Sequence, residues 1–201
     1  MTPAPRPVGR RPGTSQTRQL ILDTARQHFA ELGYDRTTLR GIAAAAEVDV
    51  ALVSHFFSGK QRLFAEAAAL PYDPAAVVAR LLTGPREQIG RRLAEQVLDL
   101  LEDPASRRQM IALIRAAASE EEAAEQIRKR INRELLIPLA TALGSPDAPL
   151  RAALTGSQVV GLVMTRHIVG IEPLARTSRE QLVAAIAPTL QRYLTGPIDD
   201  A

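Results

Sequence analysis

Residues 37–57, TTLRGIAAAAEVDVALVSHFF, hold two short apolar periods of helical spacing separated by a charged break. After the Thr37-Thr38 pair, which supplies a hydroxyl cap, Leu39, Ile42, Ala43 and Ala46 recur at i, i+3, i+4 and i+7, one face of a helix. Glu47 and Val48 make the turn, and Asp49 is placed to cap a further helix over Val50 to Phe56. Ala43, Ala44, Ala45 and Ala46 permit the two helices to approach closely at the elbow. Ile42, Val48, Val53 and Phe57 fill a small core together with Phe29 and Phe64. Two short helices joined by a turn of three or four residues let the second project into a DNA major groove. Its outward residues are short: Val50 and Ala51 suit thymine methyl groups, and Ser54 and His55 suit bases or phosphates. Periodicity alone equally admits a generic helical hairpin, and VDVALV alternates as a strand does.

Outward from this stretch the chain reads as all-α. Upstream, Ile21, Ala25, His28, Phe29 and Leu32 share a face of a helix over residues 15–32, which Gly33 ends with a left-handed conformation, and Tyr34 folds back. Downstream, Ser58 and Gly59 break the chain before a helix over 60–70. The segment Pro71-Tyr-Asp-Pro74 is the candidate domain boundary, because each Pro disfavours helix in the residue before it. Helices then follow near 74–82, 85–102, 105–118, 120–143, 150–171 and 179–194, with Pro85, Pro104 and Pro149 near starts. Ser119-Glu-Glu-Glu122 reads as a capping box, and Pro138 and Pro188 should kink or end their helices. The organisation is a basic, Pro-rich tail over 1–13, a helix-turn-helix domain over 14–70 and a larger helical domain over 71–201.

Charge is distributed unevenly. The net charge is only +3, but residues 1–62 hold nine Arg and Lys against five Asp and Glu, whereas residues 63–201 hold sixteen against seventeen. The N-terminal third is therefore the candidate polyanion-binding part. Cysteine is absent, which removes disulfides, thiolate metal sites and cysteine nucleophiles and fits a reducing interior. No apolar run approaches the roughly 18 residues a spanning helix requires, and the first residues lack a signal-peptide h-region, so the chain is expected to be cytoplasmic and to engage no membrane. His28, His55 and His167 are far apart in sequence and belong to no H-E-x-x-H or nucleophile elbow, and glycine-rich phosphate loops are lacking. An enzyme is not expected, nor is a cofactor or a metal.

The continuous stretch TRQLILDTARQHFAELGYDRTTLRGIAAAAEVDVALVSHFFSGKQRLF, residues 17–64, resembles the DNA-binding domain of the TetR (tetracycline repressor) family of regulators. The order matches throughout: an I-L-D-x-A first helix, a G-Y turn, T-T-L-R-x-I-A, a turn of Val followed by an acid or hydroxyl residue, an aromatic pair and a Lys at the fourth helix. The resemblance implies a DNA-binding domain of about 60 residues followed by a helical domain for dimerisation and, usually, ligand binding. It also implies that Thr38 binds a phosphate, that Arg40 lies near the backbone or groove edge, and that Lys60 holds another phosphate. The role of Lys60 has independent physical sense, since free N–H groups at a helix start and an ammonium together attract an anion. The chain departs from the family pattern at Ser54, where a Tyr usually reaches a phosphate, and at Leu52, where Thr is frequent. The Ser58-Gly59 order is also unusual, and Asp49 brings a negative charge close to DNA. Arg10 and Arg11, in GRRPG, are candidates for a flanking minor groove.

For the second domain the expectation is a homodimer that binds double-stranded DNA at a palindromic operator as a ligand-responsive repressor. Leu154, Ser157, Gly161, Met164 and Ile168 line one long helix, and Leu182, Ile186, Thr189 and Tyr193 line another. Pairing of these stripes across a two-fold axis would set two recognition helices one DNA turn, roughly 34–36 Å, apart. Candidates for an effector site are Met110, Ile114, Arg115, Gln158, Met164 and His167, and scarce aromatics favour a small apolar or amphipathic molecule. The rival reading is a helical adaptor that uses the hairpin for protein contacts. Steep salt dependence of DNA binding separates the two.

Overall fold

A computed structural model describes residues 14–68, 72–118 and 120–198 of the chain, and its regular structure there is helical throughout. The N-terminal helices are α1 (Thr14–Arg36), α2 (Leu39–Ala45), α3 (Val50–Phe57) and α4 (Lys60–Ala67). Beyond them come α5 (Pro74–Leu81), a 3-10 turn (Arg86–Gln88), α6 (Ile89–Glu102) and α7 (Pro104–Ala116). Next, α8 (Glu121–Gln126) runs through a π-helical segment (Ile127–Leu136) into α9 (Ile137–Ala142). Finally α10 (Ala148–Val163) continues as a second π-helical segment (Met164–Val169), and α11 (Glu172–Arg176) and α12 (Arg179–Thr195) complete the chain.

Local chemistry accounts for most of the boundaries. α1 is broken at Gly33, whose φ of 79° and ψ of 173° lie in a region essentially confined to glycine, extended rather than the left-handed helical turn expected. Thr37, wholly buried, seals that break by donating its hydroxyl to the carbonyls of Gly33 at 2.7 Å and His28 at 3.1 Å. The cap of α2 is therefore Thr38 alone. Asp49, Asp73 and Asp103 cap α3, α5 and α7 by accepting backbone N–H groups, and Pro74 and Pro104 occupy first turns, where no N–H is required.

The capping box expected over Ser119–Glu122 rests on side chains outside the described residues, and the cap residue of α8 is Glu120. Glu121 and Glu125 hold Arg128, and Glu125 also holds Arg133 at 2.9 Å. A reciprocal cap sits at Ser178 and Gln181 of α12. Pro188 does not end its helix, since α12 runs past it to Thr195. Pro138 falls in the first turn of α9 after the π segment, where its missing N–H interrupts no α-helical ladder.

The N-terminal core is aromatic. Phe29, Phe57 and Phe64 are buried, and Tyr34 and Phe29 each meet the Phe64 ring edge-on at 5.0 Å, clamping the end of α1 to α4. Only Ala43 and Ala46 pack into the elbow, because Ala44 and Ala45 face outward. In the C-terminal part α12 lies along α6 so closely that a Cβ on Gly90 would sit 2.3 Å from the Ala187 carbonyl oxygen. The Gln191 amide fixes that crossing, accepting from Gly90 N–H at 2.9 Å and donating to the Arg86 carbonyl at 3.0 Å. Arg151, 6% exposed, closes the far end of α12 by donating to the carbonyls of Pro146, Tyr193 and Gly196. The two parts meet along α1, which packs on α7 as well as on α4. There Arg115 donates to the Ala30 carbonyl at 3.3 Å, while within the N-terminal part Arg18 of α1 pairs with Glu66 of α4.

Candidate nucleic-acid interface

The front of α3 is displayed by burial of its back. Val53 and Phe57 are 0% exposed, Leu52 and Phe56 are half-buried, and Val50, Ala51, Ser54 and His55 stand in solvent. Asp49 accepts the Ala51 N–H at 2.7 Å, so its carboxylate is engaged with the start of α3. Beyond Phe57 the chain turns through Ser58, at φ 54° and ψ 19°, and Gly59, at φ 132°, a pair of positive-φ residues that swings α4 away and leaves the end of α3 free.

Around this front lie the other expected contacts. Thr38 is exposed, and its Oγ1 accepts the Gly41 N–H at 3.0 Å, which leaves the hydroxyl proton available to a phosphate at the first turn of α2. Arg40 is exposed on the same short helix. Lys60 opens α4 with its ammonium 4.2 Å from the Tyr34 ring centroid, donating to the Asp35 carbonyl at 3.3 Å. Its charge is thus held beside the end of α1. Arg10 and Arg11 lie outside the described residues. Arg18, which sequence reading did not single out, braces the back of the unit with its guanidinium 4.8 Å from the Phe57 ring. The signal for it, a basic residue one turn before Ile21, has no meaning until α4 places Glu66 opposite.

In the C-terminal part, α5, α6, α7, the first π segment and α10 surround a narrow apolar cavity of about 50 Å³. Val77, Leu93, Leu101, Met110, Leu135 and Val163 are among its walls, and Tyr72 stands at its edge. Burial pushes the Tyr72 phenol up to about 12, against the lowering effect of Arg130 and with a smaller upward push from Glu134. Of the residues proposed from sequence for an effector, Met110 lines this cavity. Ile114 is buried elsewhere in the core, Arg115 is exposed against α1, Met164 is 36% exposed, and Gln158 and His167 are half-buried outside the lining. Of the residues proposed for a dimer face, Leu182 and Ile186 are consumed by the chain's own core, a correction that follows from the close α6–α12 packing. Ser157 and Gly161 are exposed, and Leu154, Ile168, Thr189 and Tyr193 are half-buried. Among the described residues no cluster of His, Asp and Glu could hold a metal ion, and no helix is long and apolar enough to cross a membrane.

Comparison with known proteins agrees with this layout. Residues 21–67 match the family of bacterial regulatory proteins, tetR family, and residues 87–194 match the tetracyclin repressor-like C-terminal domain. A TetR-family regulator from Streptomyces coelicolor A3 (SCO0857) is 34% identical, with a TM-score of 0.65 over 94% of this chain and 99% of that one. NalD, the secondary repressor of the MexAB-OprM multidrug efflux pump in Pseudomonas aeruginosa, shares the fold at 23% identity and a TM-score of 0.72, over 90% of this chain and 96% of that one. A TetR-like regulator from Rhodococcus sp. RHA1 shares it at 20% identity and a TM-score of 0.69, over 94% and 100% of the two chains. No curated protein sequence matches the chain. With its helix-turn-helix and its helical C-terminal domain each matched by a family model, the chain belongs to the TetR family of DNA-binding transcriptional regulators.

Proposed function

We propose that this regulator is an effector-responsive repressor that acts in the cytoplasm as a homodimer on a palindromic operator. The observation that carries the reading is the division of α3 into a buried back, Val53 and Phe57, and an exposed front, Val50, Ala51, Ser54 and His55. In the proposed complex the front enters the major groove, with Val50 and Ala51 against thymine methyl groups. Thr38, Arg40 and Lys60 hold phosphates on either side, and Arg10 and Arg11 follow the adjacent minor groove. The dimer forms through the exposed edge of α10, around Leu154, Ser157 and Gly161, with Ile168, Thr189 and Tyr193 beside it. The domains divide near residue 71. A repressor among the fold neighbours supports the sign of the effect.

The effector is a small molecule held in the apolar cavity between α5, α6, α7, the first π segment and α10. It favours a dimer geometry whose two α3 helices are mis-spaced for the operator, coupling the sites by roughly 1–3 kcal/mol. The test is selection of bound fragments from the genome of the source organism, followed by fluorescence anisotropy on the recovered site at increasing salt. A palindromic site, two chains per duplex by light scattering and a steep log–log salt slope are expected. Shallow salt dependence on every duplex would make the hairpin a protein-contact surface instead.

A further inference from the structure

One helical turn from residues that line the apolar cavity, the chain gathers two arginines and a histidine for which the described residues supply no ion pair. Arg107 lies one helical turn before the cavity residue Met110 on α7, and His167 lies one turn after the cavity residue Val163, beside Arg166 in the second π segment. Arg107 is tied to the cavity wall by donating to the carbonyl of Leu101 at 3.3 Å. α7 and the second π segment touch, and the charges bearing on the His167 ring are those of Arg166 and Arg107. Among the described residues Arg166 Nη1 and His167 Nε2 are shut off from solvent with no hydrogen-bond partner.

This treatment differs from that of other arginines in the protein. Arg18, Arg128, Arg130 and Arg179 each hold a carboxylate, while Arg92 and Arg151 each satisfy several backbone carbonyls. A buried polar atom left without a partner is costly, and more so when charged. A guanidinium fork beside an imidazole, with no acid paired to either among the described residues, matches the two oxygens of a carboxylate. The location narrows the rest of the ligand, because the adjoining space is walled by aliphatic side chains.

Resting on the reading that the effector occupies the cavity, we infer that it is an amphipathic organic anion. Its hydrocarbon body lies between Leu93, Met110 and Val163, and its carboxylate is received by Arg107, Arg166 and His167.

Isothermal titration of the full-length protein with octanoate, octan-1-ol, octylamine and inorganic phosphate tests this. Octanoate should bind at one site per chain, at least tenfold tighter than octan-1-ol, with octylamine weaker still and phosphate silent. Arg166→Gln should weaken octanoate about tenfold or more and leave octan-1-ol unchanged, Arg166→Lys should restore part of the loss, and Met110→Trp should abolish both chain compounds. Melting curves of each variant establish that it is folded. Equal affinity for octanoate and octan-1-ol, or indifference of octanoate to Arg166→Gln, overturns the anionic headgroup while the cavity reading stands. Phosphate binding as tightly as octanoate makes the cluster a free-anion site and overturns the amphipathic ligand. No binding by any chain compound removes the cavity reading and the inference together.

Discussion

At Gly90 the main chains of α6 and α12 approach within a distance that admits hydrogen only. Gly90→Ala places a methyl group against the Ala187 carbonyl and the Gln191 backbone, neither of which is a flexible side-chain end. We expect a loss of about 1–3 kcal/mol, the usual range for forced overpacking, read as a lower urea midpoint with unchanged slope. His167 carries a second prediction. Burial, then Arg166 and Arg107, hold its imidazolium below the ordinary value of 6.5. Below that pH the unfolded chain therefore takes up a proton that the folded chain resists. Stability is full above pH 6.5 and declines as the pH falls, until the folded ring is itself protonated. His167→Gln should flatten that part of the melting-temperature profile. Neither residue announces itself in the sequence: a glycine inside a helical period reads as a weak spot, and a lone histidine as surface or core. What gives each its role is a neighbour about a hundred positions away for Gly90, at Gln191, and sixty for His167, at Arg107.

Elements were easier to read than residues. The face of α3 follows from its own spacing, because Val53 and Phe57 lie i and i+4 and both turn inward. Ala51→Glu, on the opposite face, should leave melting within about 0.5 kcal/mol of the parent, as surface changes usually do. Yet it should reduce operator affinity at least tenfold, since it sets a carboxylate against DNA; electrophoretic mobility shift measures it. Lys60→Met should weaken all duplexes alike and lower the salt slope by about 1, the signature of one phosphate contact. The π-helical stretches are the counterexample. Residues 120–143 read as one continuous helix, and nothing in their period distinguishes 4.4 from 3.6 residues per turn over so short a run. There Ile131, Leu135 and Leu136 are buried beside the cavity and Pro138 starts a new α-helical ladder, and both conditions depend on packing around the segment.

For the whole molecule, α1 is the shared beam. Its inner face carries Ile21, Ala25 and Phe29 into the aromatic core, while its length packs on α7 and Arg115 binds its Ala30 carbonyl. Because one helix serves both cores, calorimetry should show a single cooperative transition, with the calorimetric and van't Hoff enthalpies equal. A resolved second peak would mean that the α1–α7 contact is weak enough to part before either core melts.

The chain's own period, caps and breakers determined that it is all-helical, where most helices begin and end, and that α3 presents a small, exposed edge after a tight turn. These are local matters: a hydroxyl or carboxylate two or three residues from an amide, a proline without a proton to donate, an apolar residue every third or fourth place. Tertiary structure alone decided which apolar stripes would be spent at home. Leu182 and Ile186 looked free for a partner until Gly90 let α6 close over them, and the basic cluster at Arg107, Arg166 and His167 exists only because α7 meets the second π segment. A stripe records that a face is apolar, but burial depends on what folding brings against it, and that partner is distant in the chain.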